Sequence, residues 1–184
     1  MKFFKLMLLL LLALQTQSEQ LKNILFVGNS YLYYNNSVHN YVEPMLREHH
    51  GSEIETKLSA IGGSKIHHHN IDHLLNPKNL NLDQQIDLLI MQGGSTEVVS
   101  EKDQEKFIQT VQQYSAKAQK LGVKTALYMT HAFTEADRRF EPNLIKKITK
   151  TYFAAGKESN SIVIPVGLAY EIAYRERPNI KLHH

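Results

Sequence analysis

The residue types that could do chemistry in this chain stand directly behind its apolar runs. Ile24-Leu25-Phe26-Val27 leads into Gly28-Asn29-Ser30. Four apolar residues bounded by turn residues read as a buried strand of a parallel sheet covered on both faces. Ligands of such sheets sit beyond the carboxyl ends of the strands. Ser30 therefore stands where an open α/β sheet places its chemistry. A serine there can attack an acyl carbon, given a base for its proton and donors for the oxyanion. Serine after a strand also serves as a turn former or helix N-cap. His131, behind a later apolar run, falls at the same end of the sheet, either as a pocket residue or as a loop histidine closing the strand.

A second group suggests different chemistry. His67-His68-His69 is followed by Asp72 and His73. On a helix His69 and His73 would share one face, a spacing used for zinc, although no Glu lies between them in the H-E-x-x-H manner. Cysteine is absent, which excludes disulfides, thiol nucleophiles and thiolate metal sites.

The elements that must position these residues follow from periodicity. Val38, Tyr41, Val42, Met45 and Leu46 predict a helix that Asn35-Asn36-Ser37 introduces, Pro44 kinks or delays, and Gly51 closes. Glu53 to Leu58 alternates as a second strand, and Ala60 to Ser64 is a loop. His67 to Leu75 predicts a short helix stopped by Asn76-Pro77. Ile86 to Met91 is a third strand ending in Gln92-Gly93-Gly94-Ser95. Ser100 and Asp103 form an acidic capping box before a helix with Phe107, Val111, Tyr114, Ala118 and Leu121 inward. Val123 to Thr130 is a fourth strand, followed by a polar loop with Asp137, Arg138 and Arg139. Glu141 to Ala155 is a helix with Leu144, Ile145, Ile148 and Tyr152 inward and Gly156 as its end. Ile162 to Val166 is a fifth strand, and Gly167 to Arg175 a final helix. Strands alternating with helices predict one α/β domain on a parallel sheet, since no linker divides the chain.

The first residues carry a different signal. Met1 to Lys5 is basic, Leu6 to Leu14 is wholly apolar, and Thr16 and Ser18 put small residues before a cut. This predicts a signal peptide over 1–18 and a secreted or periplasmic protein. The apolar run falls well short of the ~20 residues of a spanning helix, so no stable membrane anchor is expected. Removing Lys2 and Lys5 lowers the net charge from +3 to +1. No basic stripe with interleaved aromatics points to nucleic acid.

Gly28-Asn29-Ser30, just after the first strand, resembles the Gly-Asp-Ser signature of the SGNH hydrolases, the GDSL-like esterases and lipases. The wider string from Ile24 to Asn36 resembles a bacterial branch in which Asn replaces the Asp. The resemblance spans roughly Asn23 to Asn179 and rests on the order of short blocks at successive strand ends. It implies a three-layer α/β/α, flavodoxin-like fold with a five-stranded parallel sheet. It implies that Ser30 is the nucleophile and that its N–H points into the oxyanion hole. The family's second block is a glycine whose N–H donates to the oxyanion, which here implies Gly63, with Gly62 as the alternative. The third block normally supplies an Asn side chain. Here Gln92-Gly93-Gly94-Ser95 stands in its place, so either Ser95 or Gln92 is the implied donor. Asn29 and Gly62 are the implied substrate-side residues, and His131 joins them from its position behind the fourth strand. In relatives the Asp at the Asn29 position helps to order the loop.

The family's fourth block, Asp-x-x-His, is absent, and the chain reaches Lys181-Leu182-His183-His184 where its loop should begin. The expectation is a domain over 19–184 that stops before its catalytic Asp and His, with His183 or His184 as the alternative base. Members of the family often remove acetyl groups from carbohydrates. The expected function is thus a secreted serine esterase that needs no cofactor. Two other readings stand beside it: a ligand-binding protein that kept the fold without catalysis, and a metal-binding module built on the His67–His73 cluster.

Overall fold

The computed structural model describes residues 21–50 and 54–182. The signal peptide expected over 1–18, the helix end at Gly51, and His183 and His184 lie outside the described residues. Five strands form one parallel sheet: β1 (Asn23–Gly28), β2 (Glu55–Ala60), β3 (Leu88–Met91), β4 (Lys124–Tyr128) and β5 (Ile162–Ile164). Their order is β2-β1-β3-β4-β5. The helices are α1 (Ser30–Tyr33), α2 (Val38–His50), α3 (Ile71–Leu74), α4 (Glu101–Lys120), α5 (Leu144–Ser159) and α6 (Val166–Glu176). This is the expected flavodoxin-like α/β/α arrangement.

The apolar run of β1 explains why it lies inside the sheet. Successive side chains of a strand point to opposite faces. Leu25 and Val27 join Leu89, Met91 and Leu127 on one face, under Phe107, Val111, Ile148 and Tyr152. Ile24 and Phe26 join Ile90 and Ala126 on the other, under Leu32, Val38, Val42 and Leu46. Both faces are dry, so the strand is apolar without a break from Ile24 to Val27 instead of alternating. Each such side chain contributes roughly 1.5–3 kcal/mol on burial. The connections from β1 to β2 and from β2 to β3 lead to opposite sides of β1. Such a reversal opens a crevice at the carboxyl ends of β1 and β3.

Four local expectations are corrected. The helix expected over His67–Leu75 is two pieces, a 3₁₀ turn at Ile66–His68 and α3, because the Asn70 side chain caps α3 by accepting from the His73 N–H. Asn and Asp side chains compete for backbone groups in this way and interrupt helices. β2 runs two residues later than expected, since its pairing with β1 continues to Gly28–Ala60. Leu121, expected to face the core, is the exposed end of α4. Gly156 does not end its helix. α5 continues to Ser159 and closes on Asn160, which takes the left-handed conformation (φ 51°).

Gly156 has a packing role instead. A Cβ there would lie 2.6 Å from Val163 Cγ2 and 3.0 Å from the Ser161 carbonyl oxygen. The glycine lets α5 approach β5. Gly156→Ala is expected to cost about 1–3 kcal/mol by overpacking, read as a lower urea midpoint. An unchanged midpoint would show that the helix can retreat freely. No helix among the described residues is long and apolar enough to cross a membrane.

Candidate active site

Three loops meet at the carboxyl ends of β1, β2 and β3, and each is built by its own local chemistry. The first begins where β1 becomes α1. Asn29 is the N-cap: its side-chain oxygen accepts from the Tyr31 N–H at 3.1 Å. Its amide nitrogen donates to the carbonyl oxygens of Ser64 (3.1 Å) and Gly93 (3.4 Å). Two partners can only accept and one can only donate, so the orientation of the amide is determined by its neighbours. Asn29 is 4% exposed and ties the three loops together. The ordering expected to be lost with the carboxylate is supplied here by the amide. Ser30 opens α1 at the pocket, and the first N–H groups of a helix have no partner within its own ladder.

The second loop is a tight turn closed by the Ser64 N–H on the Ile61 carbonyl at 3.1 Å. Gly63 occupies its third position with φ +69°, a conformation that favours glycine. Ser64 fastens the turn inward. Its hydroxyl lies 3.2 Å from the Gly28 carbonyl and 3.1 Å from His69 Nε2. Gly62 is exposed beside the Tyr33 hydroxyl and does not line the pocket.

The third loop corrects one expectation. Gln92 is fully buried. Its side-chain oxygen accepts from the Asn29 N–H at 3.0 Å, and its amide nitrogen donates to the Gly93 carbonyl. Both ends of the side chain are committed behind the pocket wall, so Gln92 joins the ends of β1 and β3 instead of facing substrate. Gly28 leaves the space for it, since a Cβ there would lie 2.6 Å from Gln92 Oε1. Ser95, the alternative donor, is half-exposed and lines the pocket. Its hydroxyl stands at the Tyr31 phenol, which burial pushes above its usual range while Ser95 pulls it back.

The pocket itself measures about 810 Å³. Asn29, Ser30, Gly63, Ser95 and His131 all line it. His131 is the one histidine among the described residues on its wall. Its ring lies 4.8 Å from that of Tyr31 and stacks at 4.7 Å on Tyr170. Its Nδ1 is 3.0 Å from the Ala132 carbonyl oxygen. Beyond it, Asp137 holds Arg139 through two contacts of 2.9 and 2.6 Å. The guanidinium keeps the Asp137 carboxyl well below the usual carboxylate range and rests 3.9 Å over the Phe133 ring.

Sequence reasoning missed the aromatic wall of Tyr31, Tyr34, Tyr128, Phe133 and Tyr170. Tyr31 directly follows the nucleophile candidate and Tyr34 stands four residues beyond it, which was the available signal. A second cleft of about 690 Å³ opens at the amino-terminal ends of β1 and β2. On its wall Glu43 pairs with Arg47 at 2.9 Å and accepts from Thr56, and Glu55 pairs with Lys57 at 2.6 Å.

The histidine cluster does not assemble. His69 is buried against Ser64, while the exposed His73 bonds to Asn79. Among the described residues no three His, Cys, Asp or Glu side chains come together as a metal site.

No family model matches the chain, and no curated protein matches it. Solved structures do. The SGNH-hydrolase family esterase AlinE4 superposes with a TM-score of 0.64 at 16% identity, over 89% of this chain and 84% of that one. The acetyl xylan esterase AlAXEase gives 0.59 at 18%, over 88% and 86%. The psychrotrophic esterase EstA from Pseudoalteromonas sp. gives 0.57 at 15%, over 78% and 76%. The chain has the SGNH-hydrolase fold.

Proposed function

We propose, from that fold and the pocket it carries, that this chain is a serine ester hydrolase with Ser30 as nucleophile. The observation that carries the reading is the meeting of Ser30, Gly63 and Ser95, from three separate strand ends, on one pocket. Ser30 Oγ attacks the ester carbonyl carbon. The carbonyl oxygen becomes an oxyanion and accepts from the N–H groups of Ser30 and Gly63 and from Ser95. Donors held in place before the charge develops stabilise it without reorganisation. The proton from Ser30 passes through the base to the leaving alcohol, and an acyl-serine remains; water then attacks that acyl carbon, gives its proton through the base to Ser30, and releases the acid. The reading requires a general base to take the Ser30 proton; Leu182, behind α6, lines the same pocket.

Carbohydrate O-acetyl esters are the substrates proposed. Tyrosine and phenylalanine faces suit the apolar faces of sugar rings, and one structural neighbour is an acetyl xylan esterase. A secreted or periplasmic location, from the leader read over 1–18, fits such substrates. The test is labelling of the full-length protein with a fluorophosphonate, followed by peptide mapping. An adduct on the peptide carrying Ser30 is expected. An adduct on another serine, or none, overturns the assignment.

A further inference from the structure

A buried carboxylate lies behind the pocket. Glu97 is 2% exposed, and burial pushes its carboxyl upward. One oxygen, Oε2, accepts from the Ile66 N–H at 3.0 Å and from the Gly94 N–H. Ile66 follows the loop that carries Gly63, and Gly94 precedes Ser95. The same carboxylate therefore holds the second and third loops of the site against each other. The two backbones are in close contact there: a Cβ on Gly94 would lie 2.9 Å from the Ser64 carbonyl oxygen and 3.4 Å from Lys65 Cα. The Glu97 N–H in turn closes a turn on the Gly94 carbonyl at 3.0 Å.

The other oxygen is different. Glu97 Oε1 is buried without a hydrogen-bond partner, and so is Nδ1 of His67, 3.7 Å away. A buried polar atom left unpaired is costly. Apolar packing would fill this space at lower cost if filling were all that Glu97 did.

Resting on the Ser30 hydrolase reading, we propose that Glu97 is a positioning residue that sets the separation of Gly63 and Ser95, and so the width of the oxyanion hole. It touches no substrate. It acts through two backbone N–H groups, one on each donor-bearing loop. Misplacing catalytic donors by about 1 Å can cost a hundredfold in rate, so the effect belongs in kcat more than in KM.

The experiment compares Glu97→Ala, Glu97→Gln and Ser30→Ala in the full-length protein, with p-nitrophenyl acetate as substrate. Gln keeps one oxygen for both N–H groups and presents its amide N–H to His67. Glu97→Ala is expected to lower kcat about 30-fold or more with KM within about twofold. Glu97→Gln should stay within about threefold of the parent, because the contact is a hydrogen bond to the backbone and not a charge on the substrate. Amide exchange supplies a second readout: the Gly94 and Ile66 N–H groups should be protected in the parent and in Glu97→Gln. Should either amide exchange like an exposed loop in the parent, the clamp is absent. A Ser30-dependent turnover that Glu97→Ala leaves within about twofold sinks the clamp alone. Unchanged turnover in Ser30→Ala sinks the hydrolase reading instead, whatever Glu97 does.

Discussion

Replacing Ser30 with alanine is expected to lower kcat for p-nitrophenyl acetate at least about a thousandfold in the full-length protein. The change deletes one oxygen and leaves the pocket otherwise intact. Ser30 is partly exposed and belongs to neither apolar core, so the urea midpoint should hold. The pocket and oxyanion donors remain, so a small residual rate above the uncatalysed one is expected. Steady-state kinetics with a denaturation curve on the same preparation separates loss of the nucleophile from loss of the fold. A variant that keeps its turnover removes Ser30 from the mechanism.

The second large effect runs against intuition. Asn29→Asp restores the Gly-Asp-Ser signature of the family, yet it should damage this protein. The Asn29 amide donates to two carbonyl oxygens, Ser64 and Gly93. A carboxylate would face both with acceptors and no hydrogen. Losing these bonds while burying an unpaired charge should cost about 3 kcal/mol and let the Ser30 turn drift, with kcat falling as well.

The variant's own pH dependence gives a sharper check. Facing two carbonyls, the new carboxyl would have a raised pKa in the folded state, above the ~3.9 of an unfolded Asp. The native state then binds more protons than the unfolded one, so stability falls as pH rises. The deficit should be smallest below about pH 4, where a protonated carboxyl can donate to Ser64, and grow as pH rises through the folded pKa. Urea titrations of parent and variant at acid and neutral pH would show the gap widening. Equal stability at both would mean that the carbonyls turn away.

Much of this was legible because strong local signals agreed with the fold. The apolar run from Ile24 to Val27 reads as a central strand because both of its faces are buried. Ser100 announces α4 because its hydroxyl accepts from the Asp103 N–H at the start of that helix. Signals failed where a distant partner outweighed a local preference. Gly156 looks like a helix stop, yet Val163 and Ser161 press on it from β5. His67 to Leu75 looks like one helix, yet Asn70 divides it.

Residue order alone was enough for the alternation of strands and helices, and for the placing of Ser30 and Gly63 behind the first two strands. Hydrophobic periodicity and turn chemistry are local properties, so they can be read along the chain. The choice between Gln92 and Ser95 could not be made that way. Both follow β3, and both can donate a hydrogen bond. Folding sends Gln92 inward to the Asn29 backbone and leaves Ser95 at the pocket. Glu97 was invisible for the same reason. Its partners at Ile66 and Gly94 are backbone amides, which every residue except proline possesses and no sequence distinguishes.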